Sequence, residues 1–136
     1  MSLKTYDIKD VNLIIDGKVI TGLGEGTPIQ AEKNEDNFTT QVGAKGETTF
    51  SETHDKTGTI TVSVKNTSPS YPYLVELANR RGENAVISAE IVDLNTNAVE
   101  AGGNEARVLK PADMELGNEE TEREFEIIVA DFTMNP

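Results

Sequence analysis

Hydrophobic and polar residues alternate along much of the chain, which is the pattern of a half-buried β-strand. The alternation is strictest over residues 58–65, where Ile60, Val62 and Val64 fall on one face and hydroxyl side chains fall on the other. The apolar runs on either side of Asp16-Gly17 predict a hairpin over residues 11–20, because Asp-Gly suits a tight turn. Further strands are predicted over residues 29–34, 37–42, 86–94, 98–108 and 122–131, and Gly102-Gly103 interrupts the fourth of these segments. Phe38, Phe125 and Phe132 are predicted as aromatic core residues.

One segment follows a helical period instead. A Ser-Pro pair opens it, and Tyr71, Leu74 and Leu77 then recur at helical spacing until Gly82 ends the run. Short strands separated by turns, with a single helix, predict an antiparallel β-sandwich or barrel with one short flanking α-helix over about residues 70–81. A length of 136 residues predicts a single domain over residues 1–136, with a polar excursion at about 43–58.

The composition narrows the possible functions. The chain has 24 acidic and 12 basic residues, a formal net charge of −12 and no cysteine. This charge disfavours binding to a nucleic-acid backbone, and the lack of cysteine excludes disulfides and thiolate chemistry. The first ten residues are charged and contain no apolar run, so we expect no secretory signal, no membrane span and synthesis in the cytoplasm.

Candidate catalytic groups are few. A hydrolase would use the one histidine, His54, with Asp55 or a distant carboxylate, but the alternative of an exposed loop histidine fits the polar surroundings better. Glu122, Glu124 and Glu126 supply carboxylates for glycoside hydrolysis, yet a spacing of two in a strand predicts one solvated acidic stripe. The sequence therefore predicts no enzyme, no cofactor and no metal site.

The order of several segments carries a family resemblance. These segments are residues 6–12 (YDIKDVN), 36–47 (DNFTTQVGAKGE), 58–70 (GTITVSVKNTSPS), 110–117 (KPADMELG) and 122–126 (EREFE). Together they resemble the tail tube proteins of contractile-tailed bacteriophages and of phage-like prophage particles. The resemblance implies a β-sandwich with a flanking helix, which forms hexameric rings that stack into a hollow tube inside a contractile sheath.

The same resemblance implies partners and a location. The partners are further copies of the chain, the tail sheath and the baseplate, while DNA passes through the tube without specific binding. The protein would be part of the virion and be assembled in the bacterial cytoplasm. The family has no catalytic residues to transfer to this chain.

Two sets of residues are candidates for a role in the tube, one for contacts between subunits and one for the lining of the lumen. The polar excursion is long enough to reach a neighbouring subunit, and its candidate contact residues are Lys45, Glu47, Phe50, Glu52 and His54. The alternative for the excursion is a mobile surface loop. The candidate lining of an acidic lumen, or else an acidic surface stripe, is formed by Glu122, Glu124 and Glu126.

Other functions stay open at the level of the sequence. A carbohydrate- or protein-binding β-sandwich module of a phage or host-surface assembly would share this fold, and a hydrolase would depend on His54. A contractile bacteriocin or a type VI secretion system would use a similar tube for another cargo.

Overall fold

The chain folds around one antiparallel sheet with a helix against it. The structure, a computed structural model, describes residues 3, 5–95 and 97–136. It is mostly β, with 44% strand and 13% helix. The strands are β1 (Val11–Ile15), β2 (Lys18–Val19), β3 (Ile29–Lys33), β4 (Phe38–Val42), β5 (Thr48–Glu52), β6 (Gly58–Lys65), β7 (Ile87–Asp93), β8 (Glu100–Val108), β9 (Glu122–Val129) and β10 (Thr133–Asn135). The α-helix is α1 (Ser70–Asn79), and short 3₁₀ turns cover Ile8–Asp10 and Gly82–Ala85.

The main sheet has the strand order β2-β1-β7-β8-β9-β6-β3, and β10 lies beside β8 next to the end of β9. All of its neighbouring strands run antiparallel. The sheet is not closed into a barrel, so the sandwich alternative of the predicted fold class is confirmed. Strands β4 and β5 form a separate two-stranded sheet.

The core confirms the alternation of β6. Ile60, Val62 and Val64 are fully buried, and Ile60 and Val62 lie opposite Ile127 and Phe125 of β9. Helix α1 adds further apolar side chains to the same core cluster, Leu74 and Leu77 among them. Burial of one such aliphatic side chain is worth about 1.5–3 kcal/mol, so this layer supplies much of the folding energy.

The predicted helix is confirmed, although it ends at Asn79 and not at residue 81. Arg80 follows the last turn in an extended conformation, and its guanidinium reaches Glu76 at 3.1 Å and Asp16 at 3.7 Å. Gly82 has a φ of +65° and begins the next 3₁₀ turn. The helix therefore ends before Gly82, and the glycine begins the turn that follows it.

The predicted interruption at Gly102-Gly103 is wrong, because β8 runs through both glycines. The pairing of β7 with β8 shifts its register between Ile87 and Ala89, next to these residues. Gly102 has a φ of +138°, and a Cβ at this position would overlap the carbonyl oxygen of Ala89. The glycine thus permits a close backbone approach inside the strand, as glycine often does at a bulge.

We expect Gly102→Ala to lower the free energy of unfolding by about 3 kcal/mol or more, because it adds both a clash and an unfavourable φ. Gly117→Ala is the matched control, since a Cβ at Gly117 meets no atom within 4 Å and its φ lies outside the left-handed region. The control should stay within about 0.5 kcal/mol of the parent. Urea unfolding followed by circular dichroism measures both, and equal stability of the two variants would contradict the close approach.

The three aromatic residues predicted for the core divide into two groups. Phe125 and Phe132 are buried, but Phe38 is 47% exposed and lies on β4, outside the main sheet. Phe132 packs beside Gly58 at a kink between β9 and β10, which the sequence did not predict. The carboxylate of Asp131 accepts the N–H groups of Asn104 and Glu105 there, and these bonds lower the pKa of Asp131.

Candidate assembly surfaces

The most unusual feature of the molecule is a hairpin arm, defined as residues 34–57 and containing β4 and β5. These two strands pair only with each other, and the turn at residues 43–46 joins them. Every residue from 32 to 52 is exposed. An isolated two-stranded hairpin is at best marginally stable in water, so the arm is a segment that gains from a partner.

The arm has one apolar and one polar face. Residues opposite each other in an antiparallel pair share a face, and the pairs Thr40↔Phe50 and Val42↔Thr48 therefore place Phe38, Val42 and Phe50 together. We call these three residues the apolar face of the arm; they are 47%, 67% and 64% exposed. The rings of Phe38 and Phe50 meet edge to face, with centroids 5.0 Å apart.

The other face of the arm is polar and bonded to itself. Gln41 donates from Nε2 to the Thr39 hydroxyl at 3.0 Å and accepts from the Ser51 hydroxyl at 2.9 Å. These bonds satisfy polar groups on the polar face. The apolar face, in contrast, exposes its side chains to water. An exposed apolar cluster rimmed by polar residues is typical of an interaction site.

The structure places all five candidate contact residues on this arm. Lys45 lies in the turn and Glu47 follows it, Phe50 and Glu52 belong to β5, and His54 comes just after β5; all are exposed. Glu52 lies directly opposite Phe38, so its carboxylate is on the same side as the apolar face. Which of these residues touch another subunit stays a prediction.

A hydrogen-bond network fixes the base of the arm. Asn34 donates from Nδ2 to the Thr57 hydroxyl at 2.9 Å and accepts from the Thr59 hydroxyl at 2.8 Å. The Asp55 carboxylate accepts both the hydroxyl and the N–H of Thr57, at 2.7 and 2.8 Å, and these bonds lower the pKa of Asp55. The carboxylate next to His54 is thus engaged with Thr57, in the role of a turn residue.

The acidic stripe lies on the outer face of the sheet, the face opposite the core. Glu122, Glu124 and Glu126 are exposed there, while the residues between them point inward. Glu124 and Glu126 lie opposite Ser63 and Thr61 of β6, so carboxylates and hydroxyls stand side by side. The carboxylate of Glu122 also accepts the N–H of Glu25 at 2.7 Å, which ties it to the loop before β3. Whether this stripe lines a lumen stays a prediction.

Comparison with protein families gives one decisive match: the model of the bacteriophage PhiTE tail tube protein matches residues 3–104. The chain belongs to this family of phage tail tube proteins. The resemblance read from the sequence is therefore confirmed, and the chain is a tail tube structural protein. Comparison with curated proteins gives no match.

Solved structures share the fold of this tail tube protein. A chain of the sheath-tube complex of an extracellular contractile injection system (PVC) has a TM-score of 0.62 at 9% identity, covering 96% of this chain and 91% of its own. A sheath/tube terminator chain of PVC has a TM-score of 0.62 at 7% identity and full coverage of both chains. The tube-terminating cap of the anti-feeding prophage has a TM-score of 0.61 at 12% identity, covering 99% and 94%. The likeness thus includes the C-terminal strands beyond the family match.

One buried cation of the tail tube protein escaped the sequence analysis. Arg123 is 1% exposed, and its guanidinium donates to the Glu115 carbonyl oxygen at 2.8 Å and to the Thr121 hydroxyl at 2.6 Å. It also lies over the ring of Tyr71 in α1, 5.5 Å from the centroid. Arg123 therefore ties the loop before β9 to the helix. Its position was predictable, because it has the same parity in the strand as Phe125.

A second exposed apolar surface of the tail tube protein lies where β8 meets β9. We call it the β8–β9 groove; it has a volume of about 600 Å³, and Val86, Leu109 and Ile128 give it an apolar lining beside Arg107. Val86 and Leu109 are 46% and 55% exposed. Arg107 lies opposite Ile128 on the outer face, at the end of β9 away from Glu122, so the groove and the acidic stripe occupy different ends of the same face.

Two further features bear on function. No helix in the described part of the chain is long and apolar enough to cross a membrane. Across residues 3, 5–95 and 97–136, no group of three or more His, Asp or Glu side chains is arranged to hold a metal ion.

Proposed function

We propose that this protein is the repeating subunit of the inner tube of a phage tail, in which six copies close into a ring and the rings stack into a conduit for DNA. The observation that carries the proposal is the arm, whose apolar face is exposed in a chain of the tail tube family. Edge strands and a free hairpin are the usual means by which β-proteins join identical neighbours. The role is structural and not catalytic.

In this proposal the acidic stripe faces the lumen. Carboxylates repel phosphate, so Glu122, Glu124 and Glu126 would keep DNA hydrated and free to slide. The hydroxyls of β6 beside them add hydrogen-bonding groups without positive charge. Six copies of a chain with a net charge of −12 carry about −72 in total, so an acidic lumen is simple to build.

The arm provides the contacts between subunits. Lys45 and Glu47 at its end, Phe50 and Glu52 along β5 and His54 at its base form the proposed contact set. The tube would lie within the tail sheath and end at the baseplate. The shared fold with chains of a sheath-tube complex and of tube terminators supports this place in the tail. Assembly would take place in the bacterial cytoplasm, before the tail joins the virion.

Purified protein tests this proposal. We expect negative-stain microscopy to show rings and tubes as concentration rises, and light scattering to give a mass about six times that of the 14.8 kDa chain for single rings. Absence of rings and tubes up to millimolar concentration, also in the presence of co-expressed sheath and baseplate proteins, would contradict it.

The proposed lumen has its own test in the same assay. Tubes of the parent should release double-stranded DNA at about 50 mM salt, whereas tubes of the Glu124→Lys/Glu126→Lys variant should retain it, with retention falling as salt is raised. Glu83→Lys/Glu119→Lys is a charge-matched control at exposed turn and loop positions outside the sheet. Equal DNA retention by the two variants would place the lumen on a different face.

A further inference from the structure

We propose that the β8–β9 groove of one copy receives the apolar face of the arm of a second copy, with Glu52 of the arm pairing with Arg107 of the groove. This inference rests on the proposed self-assembly and names the surface that completes it. It follows from three properties of the described residues, namely exposed apolar area, charge and position in the fold.

The apolar face of the arm and the lining of the groove are both apolar, and one protrudes where the other is concave. The arm offers Phe38, Val42 and Phe50 on one side only, and the groove offers Val86, Leu109 and Ile128 in a concave surface. Two aromatic rings in contact form a compact protruding group, which suits a groove of about 600 Å³. Joining the two surfaces removes both from water.

Opposite charges also lie beside the two apolar surfaces. Copies with a net charge of −12 repel one another. An ion pair between a cation of one copy and a carboxylate of the next offsets part of this repulsion. Within the described part of the chain, the salt bridges involve Lys65 and Arg80, and none involves Arg107. Glu52 stands beside the apolar face of the arm and Arg107 beside the apolar lining of the groove, where Glu105 is the other charged residue. Docking of the apolar surfaces therefore brings opposite charges together.

The groove and the arm are different surfaces of the same chain, so each copy can donate an arm to one neighbour and accept an arm from another. Thr57, at the base of the arm, is also part of the groove lining, so an incoming arm would lie next to the point where the acceptor's own arm leaves. The chain's own arm does not fill the groove, because every residue of both of its strands is exposed. Donor and acceptor are different surfaces, and such head-to-tail contacts propagate from copy to copy.

Engineered cysteines test the pairing directly, because the parent chain has none. Under mild oxidation, we expect the Thr40→Cys/Ala130→Cys variant to form a ladder of disulfide-linked multimers on a non-reducing gel. Thr40 lies opposite Phe50 on the apolar side of the arm and Ala130 lines the groove, so the apolar residues of both surfaces are kept. A mixture of the two single variants should stop at dimers, which shows that the link joins different copies. The matched control is Thr49→Cys/Ala130→Cys, whose arm cysteine lies on the polar face. It should give at least tenfold less product.

A second groove serves as the competing acceptor. It is formed by β1, β2 and the segments before β1 and β3, and its lining includes Tyr6, Ile8, Val19 and Leu23. Cross-linking of Thr40→Cys with Val19→Cys, and not with Ala130→Cys, would overturn the proposed acceptor while leaving tube formation intact.

Charge reversal gives an independent measurement. Glu52→Arg and Arg107→Glu should each raise the concentration needed for assembly by about tenfold or more, and the double variant should return to within about threefold of the parent. Glu35→Arg, on the arm but outside both strands, should leave the threshold nearly unchanged. Equal loss in the single and double variants would refute the pairing. Failure of the parent itself to assemble would instead refute the proposed function.

Discussion

Phe50→Asp is expected to abolish ring and tube formation while the monomer stays folded. Phe50 is 64% exposed in the free chain, so a carboxylate at this position remains in water and should change the free energy of unfolding by no more than about 0.5 kcal/mol. In the assembly the same carboxylate would be buried against apolar side chains without a partner, and aromatic residues at such contacts often contribute more than 2 kcal/mol each. Sedimentation velocity measures assembly, and thermal unfolding measures the monomer.

The neighbouring residue provides the control for this prediction. Thr49 is also exposed in β5 but points to the polar face, so Thr49→Asp adds the same charge one position away. We expect Thr49→Asp to assemble far better than Phe50→Asp. A Phe50→Asp monomer that loses as much stability as assembly would show that Phe50 supports the fold of the single chain.

Val62→Asp should have the opposite effect and prevent folding. Val62 is 0% exposed and lies opposite Phe125 in the centre of the core. Burial of an unpaired carboxylate costs several kcal/mol, which is comparable with the whole stability of a domain, about 5–15 kcal/mol. Circular dichroism of the purified chain should show no cooperative unfolding, and Ile60→Asp should behave in the same way.

Thr61→Asp is the control for the core substitution. Thr61 is the next residue of β6, but it faces outward opposite Glu126, so the new charge stays near water. This variant should remain folded, with a moderate loss from repulsion by Glu126. A folded Val62→Asp variant with the stability of the Thr61→Asp variant would contradict the assignment of the two faces.

Local patterns account for the parts of the fold that the sequence predicted well. The alternation of Ile60, Val62 and Val64 sets the inner face of β6 without reference to any other strand. The hairpin at Asp16-Gly17 also depends on local chemistry, because both residues adopt positive φ angles, +53° and +80°. The helix followed from spacing alone.

Long-range pairing accounts for the errors. Gly102 suggested a break because glycine is disfavoured in isolated strands, but pairing with Glu90 of β7 and Thr133 of β10 keeps it in β8. Phe38 was predicted as core because of its type, whereas its strand pairs with β5 away from the main sheet. Arg123 has the parity of Phe125 in β9, but burial of its charge depends on partners in other segments, above all Tyr71 of α1.

The candidate site was predictable only in part for the same reason. The sequence singled out Phe50 as the one apolar residue of a polar excursion, and the stripe of Glu122, Glu124 and Glu126 from its parity. It did not join Phe50 to Phe38, because that depends on the register of β4 with β5. The groove around Arg107 combines residues from four separate segments and left no local signal.

The narrow base of the arm has a practical consequence. The Thr53 N–H donates to the Asn37 carbonyl oxygen at 2.9 Å, so the two ends of the β4–β5 hairpin already lie side by side. Residues 38–52 could therefore be replaced by an Asn-Gly turn without moving β3 or β6. The shortened chain would keep the groove and lack the donor. Added in trace amounts to growing tubes, it would act as a chain stopper that caps one end and sets tube length by its ratio to the full chain.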